Sequence, residues 1–148
     1  MRESRDVLSI PCYNYIAMIK PKIKEPTEKQ ICMAFYKEYQ QLQAYNYFPR
    51  KLILFHIANE QYTSKGYTMS LKAMGLVSGV ADYCVLSEGT NKVAFIEFKR
   101  NAKGKLSPNQ VWFKEQCEAM GITYAVHWTS QGALTFLKDF ANGKLQVP

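Results

Sequence analysis

The sequence predicts an α/β domain in which a mixed β-sheet is flanked by helices. With 148 residues, the chain is long enough for one domain with a real core. Hydrophobic residues make up 47% and aromatic residues 14% of the chain, which excludes a disordered protein. The apolar runs and capping signals follow the order helix, strand, hairpin, helix, strand, helix, and that alternation is typical of a mixed sheet covered by helices.

The chain is predicted to begin with an arm, residues 1–26, followed by the folded domain, residues 27–148. The arm carries three prolines and a short basic run, which favours an irregular segment or an edge strand. Thr27 then has the residue type of a helix N-cap, and Gln30 stands three positions later as its capping-box partner. Apolar residues at helical spacing follow and predict one buried face for this helix.

The middle of the chain predicts one strand and one short helix before the hairpin. Residues 52–57 form an apolar run of strand length, which we interpret as a buried strand. Residues 65–75 are polar and contain two glycines, so we expect a loop with a short helix around residues 69–74.

A hairpin is predicted from two apolar runs, residues 80–86 and 93–99, that flank a Gly-Thr turn. If the turn centres on residues 89 and 90, the numbers of paired residues add up to 179. Asp82 and Glu97 satisfy this relation, so they are expected to stand directly opposite each other. Because side chains alternate along a strand, Lys99 falls on the same face as Glu97.

Helix caps also bound the elements of the C-terminal half. Ser107 and Pro108 predict an N-cap followed by proline at the first helical position, and Gly121 ends that helix. Residues 122–128 are an apolar run that predicts a further strand. Ser130 is expected to cap a last helix over residues 131–140.

The predicted pairing of Asp82 with Glu97 points to chemistry. Two carboxylates directly across a ladder repel each other and weaken a sheet, whereas a divalent cation would turn the pair into a binding site, because hard oxygen ligands are what magnesium and manganese prefer. Lys99 could orient an attacking water or stabilise the negative charge that develops on phosphorus. Two alternatives are a proton shared between the carboxyls and an exposed hairpin face with a Glu–Lys salt bridge. The aromatic and aliphatic residues around Glu97 favour a buried strand, where unpaired carboxylates are unfavourable without a ligand.

Several motifs in order resemble the VRR-NUC domain, a branch of the PD-(D/E)xK nuclease superfamily that also occurs alone in phage and bacterial proteins. The resemblance covers about residues 27–140 and depends mainly on residues 79–82 (Gly-Val-Ala-Asp), 95–99 (Phe-Ile-Glu-Phe-Lys) and 106–110 (Leu-Ser-Pro-Asn-Gln). Residues 56–60 (His-Ile-Ala-Asn-Glu) and 72–75 (Lys-Ala-Met-Gly) are also similar to it. One departure is Ala81, which stands where the family usually has proline.

The resemblance implies a restriction-endonuclease-like core and assigns roles to individual residues. It implies that Asp82, Glu97 and the backbone carbonyl of Phe98 bind the metal, Mg²⁺ or Mn²⁺. Lys99 is similar to the catalytic lysine, and Gln110 to the glutamine that faces the site. Glu28 resembles a glutamate of the first helix that adds a metal contact, although a solvated first-turn glutamate favoured by the helix dipole is an equal alternative.

The charge balance favours a polyanionic partner. Lys and Arg number 19 against 12 Asp and Glu, so the net charge is +7. Some of these cations fall in loops and element ends that are expected to flank the carboxylates, where they could bind phosphates: Arg50, Lys51, Lys65, Lys72, Arg100, Lys103 and Lys105.

Cysteine and histidine do not form a predicted site of their own. The four cysteines, at positions 12, 32, 84 and 117, show no zinc-site spacing and are interpreted as reduced, mostly buried thiols. His56 and His127 lie in apolar strands and are interpreted as core histidines. The N-terminus lacks the apolar core of a signal peptide, so we expect a cytoplasmic protein of a bacterium, or of a phage in its bacterial host.

These observations together predict a Mg²⁺- or Mn²⁺-dependent endonuclease that cleaves DNA by direct attack of water. No sequence-reading element is evident, so recognition is expected to follow DNA structure more than base identity. The resemblance implies branched DNA such as Holliday junctions as substrate, and the two-fold symmetry of a four-way junction favours a homodimer. The alternatives are a restriction- or RNA-type nuclease, a DNA-binding protein that does not cut, and, last, a binder of acidic membranes, for which a basic amphipathic helix is missing.

Overall fold

A four-stranded mixed sheet forms the centre of the molecule. The computed structural model describes residues 24–58, 65–89 and 93–145. The strands are β1 (Leu52–His56), β2 (Tyr83–Ser87), β3 (Val93–Phe98) and β4 (Thr123–His127), and they lie in the order β1-β2-β3-β4. The first three are antiparallel, whereas β4 runs parallel to β3. The predicted α/β class with a mixed sheet is therefore confirmed.

The hairpin has the register that the sequence predicts. Tyr83 pairs with Ile96 and Leu86 with Val93, so paired numbers again add up to 179. The second residue of the proposed turn, Thr90, lies outside the described residues.

The described residues form four helices: α1 (Glu28–Ala44), α2 (Lys65–Ala73), α3 (Pro108–Ala119) and α4 (Ser130–Ala141). Helices α1 and α4 pack on one face, where Phe35, Ile96, Phe98 and Leu137 are fully buried in a common cluster. Helix α3 packs on the other face, where Phe113 lies edge-on to Phe95 at 5.0 Å between ring centroids. The side chains of β3 alternate between these two apolar layers.

The capping signals at the first and third helices are confirmed. Thr27 accepts a hydrogen bond from the Gln30 amide, and the Gln30 side chain accepts one from the Thr27 amide. Ser107 and Gln110 form the same reciprocal pair at the start of α3. Because each cap satisfies two amides that a helix leaves unpaired, both helices begin at defined residues.

Three local expectations were wrong. Strand β1 is an edge strand with one solvent-facing side, since Ile53 is 52% and Phe55 45% exposed; α3 lies over β3 and β4 and leaves that side uncovered. Helix α2 is longer than expected and has no buried residue. The N-cap of α4 is Thr129, whose side chain accepts from the Gly132 amide.

The predicted arm is described only from residue 24 onward. Within that short piece, the Glu25 carboxylate accepts a hydrogen bond from Asn101 and lies 3.8 Å from the Nε atom of Arg100. None of the helices in the described residues has the length and apolar character that a bilayer crossing requires.

Candidate active site

A buried ion pair lies on the α3 face of β3. Lys99 Nζ is 2.7 Å from Glu97 Oε1, and the two residues are 8% and 2% exposed. Burial of two charged side chains is unfavourable unless they are paired and hydrogen-bonded. The alternation of side chains along β3 predicted that Glu97 and Lys99 share a face. The alternative of an exposed salt bridge is wrong, because the pair is nearly excluded from water.

Gln110 joins this pair to the N-terminus of α3. Its Oε1 atom accepts hydrogen bonds from Lys99 Nζ at 3.1 Å and from the Ser107 amide at 2.9 Å. Its Nε2 atom donates to Glu97 Oε1. The capping box therefore positions a side chain that contacts both charged groups, as the resemblance implied for Gln110.

Asp82 lies at the entrance to β2, directly before the pairing of Tyr83 with Ile96. One of its carboxylate oxygens, Oδ2, accepts a hydrogen bond of 2.7 Å from the Phe98 amide. That amide belongs to the residue between Glu97 and Lys99, so the hairpin brings all three predicted side chains to one end of the sheet.

Burial raises the affinity of both carboxyls for protons. Burial, with a further contribution from the charge of Asp82, raises the pKa of Glu97 from 4.5 to about 7, against the lowering effect of Lys99. Burial also raises the pKa of Asp82 above its ordinary value, although the Phe98 amide and Lys99 oppose this. The ionised form of these two carboxyls is therefore unfavourable until a cation or a proton neutralises the negative charge.

The arrangement fits a divalent cation in its chemistry. The second carboxylate oxygen of Glu97, Oε2, is buried and has no hydrogen-bond partner, and a buried polar atom in that state needs a ligand. Asp82 supplies a second hard oxygen donor nearby. In the described parts of the chain, no three His, Cys, Asp or Glu side chains are grouped as a ligand set.

The third predicted carboxylate, Glu28, has a different contact. Its Oε1 atom accepts a hydrogen bond of 3.1 Å from the Arg100 amide. Glu28 is still close enough that its charge contributes, after burial, to the raised pKa of Asp82. A metal contact by Glu28, and one by the Phe98 carbonyl, stay predictions.

Two clefts meet at Asp82. A cleft of about 290 Å³ lies between the segment before β2 and the start of α3, and a groove of about 860 Å³ lies along α1 and β1. Asp82 and His56 line both of them. The site is therefore open to a long ligand on two sides.

His56 is the functional candidate that the sequence reading missed. It is exposed at the end of β1, paired with Tyr83 across the strands at 5.1 Å between rings, so its interpretation as a core histidine is wrong. The strand ends at this position, and no signal in the sequence gives the register of β1 against β2. His127 does lie partly inside the core beside Phe136, where burial lowers its pKa, but its Nε2 atom has no partner.

A close backbone contact sets the position of α3 at the first cleft. Gly79 has φ +84°, and a Cβ atom there would lie 2.4 Å from the Asn109 carbonyl carbon. We expect Gly79→Ala to lower the free energy of unfolding by about 2–4 kcal/mol, because left-handed strain and a clash with backbone add up. Gly75→Ala is the matched control: Gly75 has φ +97° with no atom within 4 Å of that position, so it should lose only about 1–2 kcal/mol. Equal losses in urea unfolding would show that the contact with Asn109 is unimportant.

The basic loop after β3 lies against the site. The Lys103 amide donates to the Asn101 side chain, and a Cβ atom at Gly104 would be 3.0 Å from the Cβ atom of Lys99. Lys103 and Lys105 are exposed on this loop, and Arg100 precedes them. The expectation that this loop flanks the site is met, and phosphate binding by it stays a prediction.

The other predicted cations are placed differently. Arg50 and Lys51 lie beside Glu88 at the opposite end of β1, roughly 20 Å along the strand from the level of Asp82. The expectation that these two flank the carboxylates was therefore wrong, because β1 starts at the hairpin tip and runs toward the site, so the residues before it lie at the tip. Lys65 and Lys72 are exposed on α2.

Three of the four cysteines are described, and all are free thiols. Cys84 and Cys117 are buried as expected. Cys32 lines the larger groove, and burial, followed by the charges of Asp82 and Glu97, raises its pKa to about 12. Cys12, Asn59 and Glu60 lie outside the described residues.

Comparison with known proteins identifies the fold. No family model matches the chain, and no curated protein matches its sequence. A solved structure described as a VRR_NUC domain protein is similar to this chain with a TM-score of 0.61 and 16% sequence identity, covering 80% of this chain and 91% of that chain. The chain therefore has the α/β, restriction-endonuclease-like fold of the VRR-NUC domain, which confirms the fold predicted from the motifs.

Proposed function

We propose that this chain, with the fold of a VRR-NUC domain, is a Mg²⁺- or Mn²⁺-dependent nuclease that hydrolyses phosphodiester bonds in DNA. The observation that supports this most is Glu97: a buried carboxylate with one oxygen held by Lys99 and Gln110 and the other without a partner. A buried oxygen without a partner is unfavourable, and a cation bound there would satisfy it. The cation, when bound, supplies a hydroxide nucleophile at neutral pH and neutralises charge on the leaving oxygen.

Each residue of the proposed site has a separate role in this reaction. Asp82 and Glu97 would hold the cation, and the Phe98 amide fixes the orientation of Asp82. Lys99 carries a positive charge 2.7 Å from Glu97, where it can orient the attacking water and stabilise negative charge that develops on phosphorus. Gln110 is a positioning residue, because it contacts Glu97 and Lys99 through the two ends of one amide.

The substrate and assembly follow from charge and symmetry. The net charge of +7 and the exposed lysines after β3 favour a polyanion. We propose branched DNA such as a Holliday junction, cut by a homodimer whose two sites match the two-fold symmetry of the junction. The proposed location is the cytoplasm of a bacterium or of a phage-infected cell.

Strand cleavage on a panel of labelled substrates tests this function. Four-way junction, flap, linear duplex and single strand are incubated with the protein in magnesium, in manganese and in chelator. We expect cutting only with metal, and junction or flap cut faster than duplex. Equal rates on duplex and junction would contradict structure selection, and cutting in chelator would contradict the metal.

The same experiment distinguishes two alternative functions from the proposed one. A labelled RNA strand is added to the panel, because the proposed metal site does not distinguish the sugars. Cutting of RNA faster than DNA would favour an RNA-type nuclease. Tight junction binding with no cutting under any metal would favour a DNA-binding protein. The presence of Asp82, Glu97 and Lys99 together favours cutting over binding alone.

Gln110 offers a test of the positioning role. Gln110→Glu keeps an oxygen for the Ser107 amide and for Lys99 but cannot donate to Glu97, and it adds a third negative charge. We expect cutting to fall by about 10²-fold, the loss found when one aligned polar group is removed from an active site, while the helix cap keeps the melting temperature close to that of the wild type. Gln116→Glu, on the exposed side of α3, is the control. Wild-type rates for Gln110→Glu would remove this residue from the site.

A further inference from the structure

The groove along α1 has features that the cutting site does not require. We define the α1 groove by Lys29, Met33, Tyr36 and Lys37 on α1, with His56 and Tyr83 opposite them. Its volume of about 860 Å³ is within the range of sites that enclose a small-molecule-sized group. Asp82 also lines the groove, so a chain that fills the groove reaches this carboxylate.

Aromatic rings form one wall and the floor of the α1 groove. Tyr36 lies nearly parallel to Tyr83, with 6.5 Å between ring centroids and 17° between planes, and the His56 ring lies 5.1 Å from that of Tyr83. Tyr83 is buried, whereas Tyr36 is 38% exposed and His56 is also exposed. Ring surface is therefore available to a planar group that enters the groove.

Lysines and an exposed methionine form the outer wall. Lys29, Met33 and Lys37 follow one another at intervals of four residues, so they lie in a row along α1. Both lysines are exposed, and Met33 is 64% exposed. This wall alternates positive charge with a polarisable apolar side chain, which suits a ligand that carries phosphates and flat rings together.

We propose that the α1 groove binds an unpaired stretch of nucleic acid, with bases against Tyr36 and Met33 and phosphates near Lys29 and Lys37. This proposal rests on the proposed nuclease function, because the continuity of the groove with Asp82 is what makes a nucleic-acid strand the occupant. Bases within a duplex keep their faces stacked on one another, so ring surface in the groove favours a strand whose bases are free. The substrate class that follows is DNA with a single-stranded segment next to the cut, as at a flap or an opened junction.

Binding in chelator tests the groove without requiring any cutting. Fluorescence anisotropy compares a labelled single strand, the same strand with abasic positions, and a duplex. Stacking of one base on an aromatic side chain changes affinity by about tenfold or more. We therefore expect the wild type to bind the base-bearing strand about tenfold more tightly than the abasic strand.

Two methionines of equal exposure provide matched variants. Met33→Glu places a negative charge in the groove, and Met120→Glu makes the same change at the C-terminal end of α3, where Met120 is 66% exposed. We expect Met33→Glu to weaken single-strand binding about tenfold and duplex binding by less than about twofold, and Met120→Glu to change neither. Because Met33 is outside the buried core, loss of folding does not confuse the result.

A second pair of variants tests the ring itself. Tyr36→Ala should lower the affinity for the base-bearing strand by about tenfold. Tyr36→Phe should bind this strand as the wild type does, since the ring is kept. Single-strand affinities of Met33→Glu and Tyr36→Ala that equal the wild type would overturn the proposal. So would a change of oligomeric mass in these variants with unchanged strand binding, which would assign the groove to a second copy of the chain. If the wild type never cuts DNA but Met33→Glu and Tyr36→Ala weaken its binding to the single strand, the nuclease function is contradicted and the groove proposal is supported.

Discussion

Asp82→Asn is expected to abolish strand cutting while leaving the protein folded and able to bind DNA. An asparagine side chain keeps an oxygen that accepts from the Phe98 amide, as Asp82 Oδ2 does at 2.7 Å. It removes the negative charge that would hold the cation beside Glu97. Because the proposed reaction would need that cation for both the nucleophile and the leaving group, we expect the rate to fall by at least about 10³-fold.

DNA affinity in chelator should be unchanged or higher in Asp82→Asn, since the variant has one negative charge fewer near the strand. The matched control is Asp139→Asn on α4, the other aspartate within the described residues. It should cut at the wild-type rate. Asp82→Asn that cuts at that rate as well would mean the site lies elsewhere in the molecule.

Glu97→Gln is expected to stabilise the metal-free protein at pH 8 and to abolish cutting. The pKa of Glu97 is raised to about 7 in the folded protein from 4.5, so the folded state binds the extra proton between these values. The free energy of unfolding without metal therefore falls as pH rises from about 4.5, and the loss is complete above about pH 7. The full shift corresponds to a change on the order of 3 kcal/mol.

A neutral glutamine behaves as the protonated acid at every pH. The variant therefore does not lose this part of its free energy of unfolding as pH rises. We expect the wild type and Glu97→Gln to melt at similar temperatures at pH 5, and the variant to melt roughly 5–10 °C higher at pH 8 in chelator. Comparing the two proteins at each pH removes the contribution of other groups such as His127. Manganese at pH 8 should raise the melting temperature of the wild type and leave that of the variant unchanged.

Glu115→Gln, on the exposed side of α3, is the control for this experiment. It should follow the wild type at both pH values and in manganese. If Glu97→Gln is less stable than the wild type at pH 8 in chelator, the ion pair with Lys99 contributes net stability, and the carboxylate has a structural role.

The parts of this structure that local signals determine could be predicted from the sequence. A Gly-containing turn between apolar runs gave the register that brings Asp82 to Glu97, because an antiparallel hairpin leaves little freedom once its turn is placed. Thr27 and Ser107 gave the starts of two helices, since each cap needs only residues three positions apart. The pairing of Lys99 with Glu97 followed from strand alternation alone.

The parts that were missed depend on contacts between distant segments. His56 and Tyr83 lie on strands that have α2 between them in the chain. No tight turn links β1 to β2, so this pairing could not be derived from a hairpin. The exposure of Ile53 and Phe55 depends on where α3 crosses the sheet, which local patterns do not give. The misplacement of Arg50 and Lys51 had the same origin, because the direction of β1 decides which end of the sheet they occupy.

Calorimetric titration of manganese into the metal-free protein at pH 8 tests the capture of a cation by Asp82 and Glu97 most directly. The wild type should bind the ion with release of heat that saturates, while Asp82→Asn and Glu97→Gln should each lose most of that binding and Asp139→Asn should keep it. Saturable binding of equal strength in all four proteins, or none in the wild type, would contradict a metal centre at these two carboxylates.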